Sequence, residues 1–367
     1  MISKKNKYVE HLLTLIILAS CSTTSENLIT SSNGSLPKVN LRDIQDINTY
    51  NGFFINDLEI IQQTIDNRKL NQNELREIKL LKKNYQKILK KNKYQIKLNS
   101  RQKYSNEIIE LIYQFKLPIS ILWDENEQNV IPANLLIRKI DGFCSSLYDD
   151  SVASINKEIN KIPGSILVIY SDPYASTAKK IQSANSKVFT VNYDSSNFQE
   201  FAGKILGINL SENRFKKISN LNPNQVMNFN PRSRSDITQI VMLLNPQEFK
   251  AMIPALRYHS GNKFKYINFI SSLESLNNSL QLLDYEDSHS PISVYLSSRI
   301  QNEGTISIEN FLEYGVLSDW LLDKVLKQAG VQSATINGAT GYIYYSSNAC
   351  NRREIPLQKI TSNLFST

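Results

Sequence analysis

The chain has 367 residues, a formal net charge of +8 and 41% hydrophobic residues. This length is typical of two or three domains, and the apolar content suffices to bury a sizeable core. The three Cys and three His show neither CxxC nor HExxH spacing, so the sequence offers little basis for a metal site.

The first twenty residues have the organisation of a secretory signal. Three lysines within the first seven residues precede the apolar run Leu15–Leu18, which is followed by Ala19, Ser20 and Cys21. The segment Leu12–Leu18 is too short to span a bilayer, which needs about 20 apolar residues. Two structural interpretations of this segment are a plain cleaved signal with a chance Cys and an uncleaved anchor helix.

A third interpretation is lipidation, because the sequence Leu18–Cys21 resembles the lipobox of bacterial lipoproteins. The resemblance implies that residues 1–20 are a signal peptide and that Cys21 carries a diacylglycerol on its thiol and an acyl chain, such as palmitate, on its amine. Two or three acyl chains anchor a protein stably. Ser22 follows the Cys where an Asp would resemble an inner-membrane retention signal, so we expect an anchor on the periplasmic side of the outer membrane.

Residues 21–48 are rich in Ser, Thr and Asn, which predicts a flexible tether after the acylated Cys21. Residues 49–116 then predict a small basic helical domain. Its apolar residues recur at helical spacing around Leu58, between Leu75 and Leu89 with an N-cap signal at Asn71, and over Asn106–Phe115.

The basic charge is concentrated between Lys79 and Lys103, a stretch without an acidic residue. Its lysines alternate with Tyr85 and Tyr94, a pattern that would suit nucleic acid in a cytoplasmic protein. A chain behind a lipobox does not meet nucleic acid, so we expect none as a partner. The open functional interpretations are peptidoglycan or another anionic wall polymer, an acidic protein surface and membrane phosphates; the structural one is a solvated helix face.

Residues 117–367 predict an α/β domain with a parallel sheet covered on both faces, because strands alternate with helices of about ten residues. The predicted strands are Leu117–Trp123, Ile166–Tyr170, Lys187–Tyr193, Ile237–Leu244 and Tyr266–Ile270. The predicted helices are Pro132–Leu147, Ser151–Lys161, Ser176–Ala184, Asn197–Leu206, Pro246–His259 and Phe311–Gln328. Tyr342–Tyr345 and Glu354–Leu357 predict a hairpin. Cys144 fits a buried free thiol within an apolar pattern, although a bond to Cys350 stays open.

No enzyme motif is present: GxGxxG, GxxxxGK[ST] and GxSxG are all missing from the sequence. Asp172 follows a predicted parallel strand, where α/β ligand sites form, but beside Pro173 a turn or cap is favoured. Arg232 and Arg234 could clamp an anion or brace a loop, and the sequence does not decide between these roles. We therefore expect a protein that is not an enzyme and has no catalytic residue or cofactor.

Four segments share one family resemblance: Phe229–Ile237, Phe311–Trp320, Ile336–Gly341 and Arg353–Pro356. Pro246–Glu248, Pro254–Leu256 and Tyr258 continue it along the helix after the first segment. They resemble the LppC/LpoA family of outer-membrane lipoproteins, which activate a class A penicillin-binding protein. Phe229–Ile237, with Arg232, Arg234 and Asp236, resembles the family's F-x-P-R-x-R-x-D-I stretch. The second segment, Phe311–Trp320, contains Gly315 and Asp319 and is similar to the family's helix start F-x-x-L-G-x-D-A-x, with one extra residue. The third, Ile336–Gly341, contains Gly338, Thr340 and Gly341 and is similar to I-x-G-x-T-G. The fourth, Arg353–Pro356, is similar to R-x-L-P.

The resemblance covers roughly Ile166–Ile360 and implies a type I periplasmic-binding-protein-like fold with two α/β lobes. This chain departs from the family because its N-terminal helical part is far shorter. Its first lobe also looks abridged, since only Asp149–Ser165 separate the predicted helix from the next strand. The motif residues are expected to have structural or binding roles.

The sequence thus predicts a non-enzymatic outer-membrane lipoprotein that binds and allosterically activates a class A penicillin-binding protein, a regulator of peptidoglycan synthesis and cell shape. The alternatives are a solute-binding periplasmic lipoprotein and a degenerate envelope lipoprotein with a structural role. A cell-wall hydrolase lacks a candidate catalytic pair.

Overall fold

The structure, a computed structural model, describes several positions between residues 72 and 88, and then residues 93–114, 117–126, 131–194, 197–221, 228–276, 279–293 and 311–361. All of them belong to one unit, Val39–Thr367. The predicted signal peptide, Cys21, the tether and the helix around Leu58 lie outside the described residues.

The N-terminal part of the described chain is a β-α-β unit. β1 (Tyr94–Leu98) and β2 (Ile119–Trp123) pair in parallel, and α1 (Ser105–Gln114) connects them. The prediction of an all-helical unit up to residue 116 is therefore wrong, because the two-stranded sheet crosses that boundary. The missed signal is the period-two pattern of β1, in which Tyr94, Ile96 and Leu98 are buried and the residues between them are exposed.

The basic run Lys79–Lys103 accordingly changes structure along its length. Lys79, Lys83 and Lys87 are helical, whereas Lys97 lies on β1. Lys87 donates a hydrogen bond of 2.7 Å from Nζ to the carbonyl of Gly330. The run is therefore not one continuous basic helix.

The centre of the fold is a six-stranded sheet, which confirms the predicted α/β class with a mostly parallel sheet. Its order is β4-β3-β5-β6-β7-β11, and only β11 runs antiparallel to its neighbour. The strands are β3 (Ser165–Tyr170), β4 (Val188–Asn192), β5 (Ile237–Leu243), β6 (Lys265–Asn268), β7 (His289–Pro291) and β11 (Leu357–Lys359). Ile166–Ile169 are fully buried because both faces of the sheet are covered by other elements.

Helices alternate with these strands as the sequence predicts. They are α2 (Leu147–Ile159), α3 (Ala175–Ala184), α4 (Phe198–Ile205), α5 (Ile208–Leu221) and α6 (Pro246–Ser260). Asn197 caps α4, and Asn245 and Glu248 form a capping box at the start of α6. The sequence analysis predicted neither α5 nor β7.

The predicted helix over Pro132–Leu147 does not form, and helix α2 begins only at Leu147. Gly142 has a φ of +91°, which a continuing helix cannot contain. Its carbonyl accepts the amide of Asn351 at 2.8 Å, and the amide of Cys144 donates to the Asn351 carbonyl at 2.9 Å. This backbone pairing with a distant segment replaces the helical hydrogen bonds. Ser146 then caps α2 by accepting the amide of Asp149.

Cys144 is not a free thiol: it forms a disulfide with Cys350. The two Cα atoms lie 4.9 Å apart, within the range that a disulfide requires. The backbone pairing of residues 142–144 with Asn351 brings the two sulfurs together. The apolar pattern around Cys144 predicted a buried free thiol, but this long-range contact, which forms only in the folded chain, allows the disulfide.

The C-terminal part begins with α7 (Phe311–Gln328), which has the predicted bounds and is almost completely buried. A three-stranded antiparallel sheet follows, in the order β10-β9-β8, with β8 (Ser333–Asn337), β9 (Tyr342–Ser346) and β10 (Arg352–Glu354). A hairpin forms with the predicted first strand, β9, but its second strand, β10, shares only Glu354 with the predicted Glu354–Leu357. Leu357 instead belongs to β11 and pairs with Pro291 of the central sheet.

Candidate functional site

The carboxyl edge of the central sheet is where open α/β folds bind ligands, at the point where strand order reverses. The reversal lies between β3 and β5; Ser171 follows β3 directly, and Asn245 lies two residues after the end of β5. The Ser171 hydroxyl donates a hydrogen bond to Glu248 Oε2 at 2.8 Å, and the backbone amide of Asn245 donates to the same oxygen at 3.0 Å. These three groups are bonded to one another, so they brace this edge of the sheet.

Asp172 lies at the same edge and is exposed. It begins a short 3₁₀ turn, and its Oδ1 accepts a 2.8 Å hydrogen bond from Asn192 Nδ2 at the end of β4. This agrees with the turn assignment that the sequence favoured.

Two glutamates with tyrosine partners lie where the sheet edge approaches α7 and the β-α-β unit. The Tyr148 hydroxyl, at the start of α2, donates to Glu274 Oε1, and the Tyr104 hydroxyl donates to Glu313 Oε1 at 2.6 Å. The ring of Tyr148 contacts Phe269 edge-on at 4.9 Å. These four residues are scattered along the sequence, so no local pattern predicted the acid cluster that they form.

The pKa of Glu274 is raised to about 7, mainly by burial and to a smaller extent by the nearby Glu313 carboxylate. A group whose pKa is raised on folding stabilises the protein when protonated, below about pH 4.5. This stabilisation is lost as the pH rises through 7. The cluster therefore makes the folded state less stable in alkaline solution.

Glu274→Gln is expected to flatten this dependence. The variant should match the wild type near pH 5 and be more stable at pH 8 by about 1–3 kcal/mol, since the amide keeps an acceptor for Tyr148 without the charge. Urea unfolding across that pH range measures the effect. Glu286→Gln removes an exposed carboxylate and serves as the control. Equal pH slopes for wild type and Glu274→Gln would contradict the prediction.

The family-motif residues of the C-terminal part meet at a buried aspartate. Asp319 Oδ1 accepts the amide of Ala339 at 2.5 Å, and Oδ2 accepts the amide of Thr340 at 2.9 Å as well as the Thr340 hydroxyl. Burial raises the pKa of Asp319, against the opposing effects of Arg353 and these donors. The carboxylate thus fixes the turn between β8 and β9.

The glycines of this turn have steric reasons to be glycine. A Cβ at Gly338 would lie 2.6 Å from Asp319 Oδ1, and a Cβ at Gly341, where φ is +154°, would lie 2.5 Å from the Glu354 carbonyl oxygen. Gly315 is buried within α7. Gly338 and Gly341 therefore have structural roles in the turn.

Arg353, from the fourth motif, joins the same region to α2. Its Nη1 lies 3.2 Å from Asp150 Oδ2, and its guanidinium stacks on the Phe143 ring at 4.4 Å. Asn351 donates to Asp323 Oδ1 of α7 at 2.7 Å. Burial raises the pKa of Asp150, with Arg353 opposing it. The network connects residues 141–150, α7 and β10 in one buried polar cluster.

The remaining motif residues lie at the opposite, amino edge of the sheet. Arg234 forms a bidentate pair with Asp236, with Nε–Oδ1 and Nη2–Oδ2 distances of 3.0 and 2.6 Å. Arg234 also stacks on Phe189 at 4.8 Å. It therefore braces the loop before β5, and its two-pronged guanidinium face is taken by Asp236.

Within the described ranges no group of three or more His, Cys, Asp and Glu residues could hold a metal ion. None of the helices in that part of the chain is long and apolar enough to cross a membrane.

The fold and these sites define an α/β protein with a mostly parallel six-stranded sheet and an internally bonded polar network. No protein-family model matches the chain, and a search of curated proteins found no match.

Proposed function

We propose that this chain is a non-enzymatic outer-membrane lipoprotein, anchored through Cys21, that binds and activates a class A penicillin-binding protein. One observation carries the proposal: three of the four segments that resemble the LppC/LpoA family, the second, third and fourth, meet at one buried site although they are distant in sequence. Asp319 of the second segment holds the backbone of Ala339 and Thr340 in the third.

Chance matches to short motifs have no reason to converge in space. Arg353 of the fourth segment lies in the adjoining network and interacts electrostatically with Asp319. The lipobox at Leu18–Cys21 is an independent sequence feature that points to the same family. Together these features support the resemblance as a common architecture.

The finer fold in this proposal is a type I periplasmic-binding-protein-like domain with an abridged first lobe. The six-stranded sheet would be the complete lobe, and β1, α1 and β2 would be what remains of the first one. α7 packs against α1 and β1, so it would join the two parts. This replaces residue 117 as the proposed start of the α/β domain with residue 94.

The proposed mechanism is allosteric. A docking surface that binds one conformation of the synthase better than another raises the population of that conformation, by no more than the difference in binding free energy. No group of this chain then needs to touch the synthase's reacting atoms. The tether after Cys21 would let the folded part reach from the outer membrane towards the cell wall.

The test uses the mature chain with Cys21→Ser, which carries no lipid, and each class A synthase of the same cell. We expect it to bind one synthase and to raise its rate of glycan polymerisation or crosslinking several-fold. Binding is measured by surface plasmon resonance and the rates with purified lipid-linked precursor. The matched control is the same chain after thermal unfolding. Failure to bind any of the synthases would refute the proposal and favour a degenerate envelope lipoprotein with a structural role.

A solute-binding lipoprotein is the second candidate, favoured by the strand-order reversal beside Ser171 and Asn245. The bonds of both residues to Glu248 occupy polar groups that a solute would need. Heat release on titration with a small solute, lost in Ser171→Ala, would support this role over the first.

A further inference from the structure

Helix α5 carries an exposed apolar stripe. Among its residues only Ile208 is buried, and the exposed fractions of Leu210, Ile218 and Leu221 are 60%, 54% and 84%. Leu210, Arg214, Lys217 and Leu221 are spaced at i, i+4, i+7 and i+11, so they lie along one line of the helix. The helix therefore presents leucines and basic residues on the same outer face.

The segment before β5 packs against the side of α5 that borders this face. The Phe229 ring stacks on Phe215 of α5 with 4.4 Å between centroids. The Arg232 amide lies 3.4 Å from the Ser211 hydroxyl, which holds Arg232 beside the helix. Of the two motif arginines, Arg234 braces the loop before β5 by pairing with Asp236, whereas Arg232 lies beside α5.

The positive charge of the face is not neutralised locally. Arg214 and Lys217, which lie on this face, and Arg232, which lies beside it, are all exposed. In the described part of the chain none of them forms an ion pair. Glu212 is the one acidic residue of α5. This face is complementary to a negatively charged surface that lies above an apolar layer. The basic side chains match the negative charge, and the exposed leucines match the apolar layer.

We propose that the outer face of α5, together with Arg232, docks on an anionic phospholipid bilayer. The leucines and Ile218 would enter the boundary between headgroups and acyl chains, and the basic side chains would bind lipid phosphates while their stems pack along the apolar layer.

The composition of the face favours a bilayer over a protein partner or a second copy. Lysine is depleted in protein interfaces, whereas interfacial membrane helices combine Lys and Arg with Leu and Phe. The inference also rests on the proposed function in one respect. A lipid on Cys21 would keep the bilayer at a high effective concentration, so that even weak docking would orient the folded part.

The test is co-flotation of the lipid-free mature chain, carrying Cys21→Ser, with vesicles that contain phosphatidylglycerol and with vesicles of phosphatidylcholine alone. We expect binding to the anionic vesicles only, weakened by added salt. Leu210→Asp with Leu221→Asp, and separately Arg214→Glu with Lys217→Glu, should each weaken binding about tenfold or more. Leu283→Asp, at an exposed leucine elsewhere, is the matched control and should bind as the wild type does.

Three results would overturn the proposal: no binding to anionic vesicles, equal binding of wild type and α5 variants, or self-association in sedimentation that the α5 variants abolish. Loss of synthase binding in these variants without any vesicle binding would instead assign the face to a protein partner. Because no synthase is present in the vesicle assay, its failure leaves the activation test unaffected.

Discussion

Replacing Asp319 with alanine is expected to destabilise the protein by about 3–5 kcal/mol, the largest effect of a single side chain that we predict. The change leaves the amides of Ala339 and Thr340 and the Thr340 hydroxyl buried without their acceptor. A typical domain has about 5–15 kcal/mol of stability, so the variant should unfold at a much lower urea concentration. Chemical unfolding followed by fluorescence measures the loss.

Two further variants distinguish the loss of the Asp319 hydrogen bonds from the loss of a negative charge. Asp319→Asn keeps the side-chain volume but presents an amide nitrogen to one of the donors. Its free energy of unfolding should therefore lie between those of the wild type and Asp319→Ala. Asp284→Ala removes an exposed carboxylate that pairs with Lys250 at 2.8 Å, and it should cost at most about 1 kcal/mol. An Asp319→Ala loss no larger than that of Asp284→Ala would show that the aspartate does not hold the turn.

Removing the disulfide by Cys350→Ser is expected to cost about 2–5 kcal/mol under oxidising conditions. The bond joins residues 206 positions apart, and a loop of this size would give about 5 kcal/mol in the chain-entropy model. Cys350 is exposed, so a thiol reductant should reach the bond in the folded protein and produce a similar loss. Urea midpoints with and without reductant measure both effects.

A double-mutant cycle tests whether the two cysteines act as a unit. In a Cys144→Ser background, Cys350→Ser should cost less than about 1 kcal/mol, because the bond is already absent. Identical unfolding midpoints for wild type and Cys350→Ser in oxidising buffer would mean that the bond does not form.

The sequence predicted the central elements well because their patterns were strong and local. The run Ile166–Tyr170 is apolar throughout, as a strand buried on both faces must be, and β3 has those bounds within one residue. Helix α7 has the predicted bounds, and α6 extends one residue beyond the predicted end at His259. Each signal lies within one element and does not depend on its neighbours.

The candidate sites were less predictable because they depend on distant pairs. Glu274 and Tyr148 are 126 positions apart, and Asp319 and Thr340 come from a helix and a turn. The motif resemblance named Asp319, Gly338 and Thr340 but not the contact among them. Arg232 and Arg234 are two residues apart in sequence, yet one pairs with Asp236 and the other lies against α5.

By itself, the sequence determined the α/β class, the alternation of strands and helices after residue 165, and the lipobox as a hypothesis. Only the tertiary structure decided the strand order, the Cys144–Cys350 bond, the parallel pairing of β1 with β2 and the loss of helix before Leu147. The physical reason is the same in each case. Hydrophobic periodicity and caps act over a few residues, whereas backbone pairing with a remote segment, such as Gly142 with Asn351, competes with local preference only once the chain has folded.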